Sequence, residues 1–348
     1  MKNKITVSVV VCTYNGAKKI RACLESLLRQ TYPKDKYEII VVDDGSTDDT
    51  YDIASRYPVK VIRHEKNKGL SAARNAGLKI AQGKIYACFD DDCIAEPNWL
   101  INLIDTYEKN KDIAGIAGIS ILPSNPTFID IFIINYVMTP APIAHGISKH
   151  PLFRFITYIK NALSPYRASL SELYEVFEIF GFSASFPTSI LRNVNGWNEV
   201  FSGCEDIELC SRIKNVYPNR VFYITPNAKI IHDHKLNLYG CLKKPYKRGY
   251  VNLIYYQQMH KVPQFLPFPF FFFFSCLFTI TMNVLLGVTT ILVLPHLLYF
   301  WWSIRFLKEF KFYYLLFPYI QLSYETMVIA GLIRGYILLT KRHYETKT

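Results

Sequence analysis

The chain is 348 residues long, more than one ordinary compact domain holds, so two units are expected. Half of its residues are apolar and 15% are aromatic, which excludes disorder for most of its length, because burying that much apolar surface offsets the ordering entropy. Lys and Arg outnumber Asp and Glu by 40 to 28, a net charge of +12 that suits an anionic membrane face, a phosphate-bearing substrate or nucleic acid without choosing among them.

From the N-terminus, short β-rich runs alternate with segments of helical periodicity. Strands are predicted over 6–12, 37–43, 59–64, 84–90 and 113–120, and helices over 17–30, 47–57, 69–82 and 98–110. That alternation means an α/β domain with a mainly parallel sheet, and such sheets take their ligands beyond the carboxyl ends of the strands. The opening apolar run is strand-length and ends in polar turn residues, so it is not read as a signal peptide. The eight cysteines, from Cys12 to Cys276, include no C-x-x-C pair and are read as free buried thiols rather than a disulfide framework or zinc cluster. The apolar stretch 128–143 is short for a span; it is read as an interfacial or acceptor-side segment, extending at most over 128–165.

From 262 to 304 there is no Asp, Glu, Lys or Arg. As one helix this run would be roughly 65 Å long, whereas a bilayer core is about 30 Å thick. It is therefore read as two connected spans with a turn near 283–287. Trp301, Trp302 and Arg305 mark an interfacial end. A further apolar run, 312–340, contains only Glu325 and Arg334 as charges, half a turn out of phase and so expected to face other helices or the interface. Lys243, Lys244, Lys247 and Arg248 lie close before the first span, which predicts a multi-pass cell-membrane protein with its N-terminal domain in the cytoplasm.

Candidate chemistry follows the strands. Thr13, Tyr14 and Asn15 come after the first. Asp43 and Asp44 come after the second, with Gly45 permitting a tight turn and the carboxylates able to accept hydrogen bonds from a base or ribose. Asn67, Lys68, Gly69 and Arg74 form a glycine-containing lead-in to a helix that suits a diphosphate; neither a Walker loop nor a G-x-G-x-x-G fingerprint is present. Asp90, Asp91 and Asp92 end the fourth strand. Three adjacent carboxylates repel one another unless a cation neutralises them, alternate strand residues share a face, and oxygen ligands favour Mg²⁺ or Mn²⁺. Glu205 and Asp206 stand at a helix start, with Glu208 and Arg212 spaced i, i+4. His232 and His234 follow an apolar strand at 229–231 on one face, a pair suited to metal ligation and equally to an exposed strand end.

The runs V-S-V-V-V-C-T-Y-N-G, V-V-D-D-G-S-T-D-D-T, N-K-G-L-S-A-A-R-N-A-G, F-D-D-D, N-G-W-N-E and G-C-E-D-I-E-L together resemble, in order and spacing, the family 2 glycosyltransferases. The resemblance covers roughly residues 7–250. It implies a Rossmann-like GT-A catalytic domain over 1–250, with a mainly parallel mixed sheet, followed by an α-helical transmembrane region over 251–348. It implies inverting transfer from a nucleotide-sugar donor, a UDP-sugar first among them, to a hydroxyl of a lipid-linked or cell-surface glycan. Thr13, Asn15 and Asp44 would contact the nucleotide, supported by Asp43 and Arg74, with Tyr14, Asn67, Gly69 and Asp91 in the same pocket. Asp90 and Asp92 would serve the ribose and a metal-bound diphosphate, joined by His232 or His234. Asp206, ahead of Glu205, would be the catalytic base. The chain departs from the family in two places. No Q-x-x-R-W element stands near 242–250, which implies non-processive transfer, and Phe182-Ser183-Ala184-Ser185 replace the usual polar residues after Gly181. The alternatives are a polyprenyl-phosphate sugar synthase, whose ionised acceptor needs no base, and a non-catalytic nucleotide-sugar-binding membrane protein. Membrane lipid is an expected partner and nucleic acid is not, because basic residues cluster beside the apolar runs.

Overall fold

The computed structural model describes residues 5–134, 173–176, 178–201, 203–232, 237–258 and 268–345. The chain forms two compact units: Met1–Pro126 with Ile133–Lys235, and Thr127–Phe132 with Leu236–Thr348. The division falls ahead of residue 250, and a short piece of the N-terminal half goes with the second unit.

The first unit is built on a nine-stranded sheet: β1 (Val7–Thr13), β2 (Tyr37–Asp43), β3 (Lys60–Arg63), β4 (Ile85–Asp90), β5 (Cys93–Ala95), β6 (Ile113–Ile121), β7 (Tyr174–Val176), β8 (Ala184–Pro187) and β9 (Val221–His232). The order is β3-β2-β1-β4-β8-β6-β9-β5, with β7 also on β9. β3, β2, β1 and β4 are parallel, as is β6 with β9. β8 runs antiparallel to β4 and β6, and β5 and β7 antiparallel to β9. The sheet is thus mixed, with parallel pairing through β3, β2, β1 and β4 and again between β6 and β9, in keeping with the mainly parallel mixed sheet expected. The three antiparallel strands have three or four residues each, too few for an alternating pattern to register in the sequence.

The helices of this part are α1 (Ile20–Leu28), α2 (Thr50–Ala54), α3 (Leu70–Ile80) and α4 (Trp99–Lys109); α5 (Phe128–Phe132) belongs to the second unit, and α6 (Thr188–Asn193) and α7 (Glu205–Val216) complete the first. β1, β2 and β4 are almost continuously apolar because both faces are covered. Val9 and Val11 pack with Leu24 and Leu27 of α1 and Leu100 and Leu103 of α4. Val10 points the other way, into a cluster with Ala73 and Leu78 of α3 and Leu209 and Ile213 of α7. The two-residue alternation of β1 therefore divides the core into two layers and leaves the strand ends for chemistry.

The second unit is helical: α8 (Leu238–Gln258), α9 (Phe268–Met282), α10 (Val284–Leu298), α11 (Phe300–Glu309), a 3₁₀ turn (Phe312–Leu315) and α12 (Phe317–Glu345). α8 and α12 touch backbone to backbone, since a Cβ on Gly249 would stand 2.1 Å from the Val328 carbonyl oxygen and one on Gly331 2.0 Å from that of Tyr246. Small residues allow that approach. Phe132 of α5 is fully buried, its ring centroid 6.1, 5.4 and 6.5 Å from those of Trp302, Phe317 and Tyr324. Buried Glu325 accepts from Tyr299 OH (2.6 Å) and Gln321 Nε2 (3.0 Å), while Gln321 Oε1 accepts from Trp302 Nε1 (2.7 Å). Arg334 lies over the Tyr246 ring. Both charges of the last apolar run thus face other helices.

The apolar run breaks at Asn283, where a turn was expected. α9 and α10 have 15 residues each, and no single helix among the described residues is long and apolar enough to cross a membrane. Val284–Leu298 and Trp302–Glu309 reach that length and composition together but are bent by 80°. Of the proposed segment 128–165, residues 135–165 lie outside the described residues.

Candidate donor and catalytic site

The sheet register brings the parallel strand ends into line: Thr13 pairs with Asp43, Cys12 with Asp90 and Asp43 with Arg63. The chain leaves β1 toward β2 and later returns to β4 on the other side, so the topological switch point lies between β1 and β4, where open α/β sheets take ligands.

The loops after β1, β2 and β3 are tied together by the residues singled out in the sequence. Asn15, held at φ +52°, accepts from Thr47 N–H at 2.8 Å, and its own N–H donates to Ser46 Oγ at 2.9 Å. Asp43 is fully buried, accepts from Ser46 N–H at 3.0 Å and pairs with Arg63 Nε at 3.2 Å. Asp44 accepts from Lys68 N–H (2.9 Å) and Gly69 N–H (2.8 Å) and lies 2.7 Å from His64 Nδ1. Asn15, Asp43 and Asp44 therefore tie the loops at the strand ends to one another. Tyr14 and Asn67 are exposed beside them. Gly69 caps α3 at φ +94°, with open space where a side chain would project.

The acidic turn differs from the alternating strand expected. β4 ends at Asp90, and Asp91 and Asp92 make the turn into β5, so the three carboxylates meet different partners. Asp90 lies 3.9 Å from Arg74 Nη2. Asp91 accepts from Thr13 Oγ1 at 2.5 Å. Asp92 is gripped on both oxygens, by Lys19 Nζ at 3.2 Å and His232 Nε2 at 3.0 Å. Burial pushes the Asp91 carboxyl up to about 6, Asp92 and Asp90 adding to it while Thr13 and Lys19 oppose. Burial also raises Asp90, against Arg74 and His232. At Asp92 burial is outweighed, and His232 and Lys19 hold the carboxyl well below the usual range.

Arg74 is 3% exposed and joins the acidic turn to the second acidic pair. Its Nη1 donates to Asp206 Oδ1 at 2.8 Å and Glu205 Oε1 at 3.2 Å. Those partners place it with the second acidic pair and Asp90 rather than against the Asp43–Asp44 turn. Asp206 Oδ2 accepts from Gly181 N–H at 2.8 Å. A Cβ at position 181 would stand 2.0 Å from Arg74 Nη2, so a larger residue there would push the guanidinium from its place. Both acids sit in the first turn of α7, where the N-terminal helix dipole favours negative charge. Burial and the charge of Asp206 raise the Glu205 carboxyl, against Arg74. Glu208 and Arg212 form the expected pair at 2.7 Å.

Asp92 Oδ1 and His232 Nε2 are 3.0 Å apart, and adjacent ligands of an octahedral ion bound at about 2.1 Å stand about 3.0 Å from each other. The carboxylate suits Mg²⁺ or Mn²⁺, and the imidazole adds a ligand that transition metals accept. Cys93 Sγ lies within 4.8 Å of both and completes the candidate group, its thiol raised by burial as long as no cation is bound. The residues present fit a divalent cation at Asp92 and His232; His234 lies outside the described residues. Lys19 and His64 had no signal in the sequence, because each owes its place to a chain crossing rather than to spacing, and Gly181 was marked there only by the residues that follow it.

An acidic turn fit for a cation at a sheet switch point, bridged by a buried arginine to a carboxylate pair, has the features of a nucleotide-binding group-transfer domain. Residues 8–132 match the family described as Glycosyl transferase family 2. It is 37% identical over 115 residues to the glycosyltransferase AglE of Haloferax volcanii, covering 31% of this chain and 38% of that protein. It is 35% identical over 118 residues to the glucosyl-dolichyl phosphate glucuronosyltransferase of the same organism, covering 32% and 37%. The chain thus spans less than two-fifths of the length of these curated relatives. Its fold is similar to that of the mannosyltransferase PcManGT from Pyrobaculum calidifontis, solved in complex with GDP-Man and Mn²⁺, with a TM-score of 0.56 at 16% identity over 95% of this chain and 86% of that one.

Proposed function

We propose that this chain is an inverting, non-processive glycosyltransferase that moves a sugar from a nucleotide-sugar to a hydroxyl of a lipid-linked or cell-surface glycan, at the cytoplasmic face of the cell membrane. The observation that carries the reading is Arg74, one buried guanidinium that fixes Asp206 at 2.8 Å and reaches Asp90 at 3.9 Å. It sets the distance between the donor-side carboxylate and the base.

Each Asp206 oxygen accepts one bond within the protein, which leaves lone pairs for an acceptor hydroxyl. Asp206 takes the hydroxyl proton as the oxygen attacks the anomeric carbon opposite the leaving diphosphate, and a single displacement inverts the centre. A divalent cation at Asp92 and His232 would neutralise charge developing on the diphosphate. The loops pinned by Asn15 and Asp44 hold the base and ribose, and Thr13 steadies Asp91 beside them. The name of the glucuronosyltransferase relative supports a lipid-linked sugar acceptor. Membrane placement is supported by the charge-free run 262–304 and its basic flank.

The test is a screen of UDP- and GDP-sugars with full-length protein in detergent, reading nucleoside diphosphate release with and without lipid extract. Release stimulated by extract and abolished by chelator is expected. Donor binding without turnover under all conditions would favour the non-catalytic reading, and turnover with a bare polyprenyl phosphate would favour the synthase.

A further inference from the structure

We propose that α9 and α10 form a hairpin that enters the membrane and returns to the same face without crossing it; this rests on the membrane placement proposed above. The tip carries the inference. Met282, Val284 and Leu285 are 65%, 71% and 74% exposed. The one polar residue among them, Asn283, caps α10, its Oδ1 accepting from Leu285 and Leu286 N–H at 2.8 and 3.2 Å. A crossing hairpin would put this tip in water on the far side, where an uncharged apolar turn is unfavourable. Hydrocarbon is the solvent that suits it.

Further features agree. Each 15-residue helix is about 22 Å long at 1.5 Å per residue, short of a bilayer core of about 30 Å. The helices lie against each other, since a Cβ on Gly287 would stand 2.2 Å from Ile280 Cγ1. The hydroxyls of Thr279, Thr281, Thr289 and Thr290 all donate to carbonyls of their own helix, so these groups need no water. Outward-facing Phe274, Leu277, Phe278 and Leu292 leave the pair apolar on its free sides. At the base the chain turns by 80° into Trp302–Glu309, where Arg305 lies over the Trp302 ring, a charged and aromatic segment suited to the headgroup layer.

The test uses full-length protein in sealed membrane vesicles of both orientations, with Met282→Cys and Val284→Cys at the tip, Leu307→Cys at the base and the parent as the blank for native thiols. A membrane-impermeant maleimide should label Leu307→Cys from one side only. Neither tip variant should label above the parent from either side until detergent is added, and the protein should resist a carbonate wash. Tip labelling from the face opposite Leu307→Cys, in carbonate-resistant protein, would overturn the hairpin and leave membrane placement standing. Release by carbonate would overturn membrane placement itself.

Discussion

Arg74 answers three acidic side chains at once, and removing either side of that arrangement has a distinct signature. Asp206→Asn should lower turnover on the order of 10²–10⁴ while nucleotide-sugar binding, read by calorimetry, stays within a small factor. Glu205→Gln should lose less; the reverse ranking would pass the base role to Glu205. Arg74→Met strands buried carboxylates and should destabilise the fold by about 3–5 kcal/mol, measured by denaturant unfolding. Asp91 gives a pH signature. Its folded value rises from 3.8 to about 6, so its stabilising contribution is full below pH 3.8 and is lost as pH climbs through about 6. In metal-free protein, Asp91→Asn should therefore gain melting temperature relative to the parent between pH 4 and pH 7. Asp92, held low, acts with opposite sign in more acid solution and leaves that window clear. A difference that stayed flat with pH would refute the assignment.

Among the elements, long strands and amphipathic helices were legible because their periodicity follows from burial: β2 spans the residues expected, and α1, α3 and α4 differ from expectation only at their frayed ends. The strands β5, β7 and β8 were not legible, being held by neighbours rather than by pattern. The site was legible as a set of residue types at strand ends, whereas its wiring was not. That Lys19 meets Asp92 across 73 positions, or Gly181 meets Asp206, depends on the completed sheet. The α8–α12 contact was equally silent, although Gly249 and Gly331 are its condition. Gly331→Val should overpack that crossing and cost about 1–3 kcal/mol, seen as a lower melting temperature in detergent, with Gly69-side donor binding unchanged if the first unit folds by itself.

At the scale of the molecule, the two units do not divide the chain once. Thr127–Phe132 leaves the first unit, joins the helices of the second, and the chain then returns. A fragment ending at residue 250, the boundary suggested by motif alone, keeps Phe132 and loses Trp302, Phe317 and Tyr324. It should be less soluble than the same fragment carrying Phe132→Ser, as judged by the yield of monomer in size-exclusion chromatography.

The same excursion has a cost in time. Phe132 leaves the ribosome about 170 residues before Trp302 does, and at roughly 5–20 residues per second the delay is about 10–30 s. Throughout that interval β6 is already made while α5 has nothing to bury against. Strands β8 and β9, which complete the sheet on either side of β6, arrive during the wait. The nascent chain must fold its first core while that apolar helix still lacks the C-terminal helices it packs with.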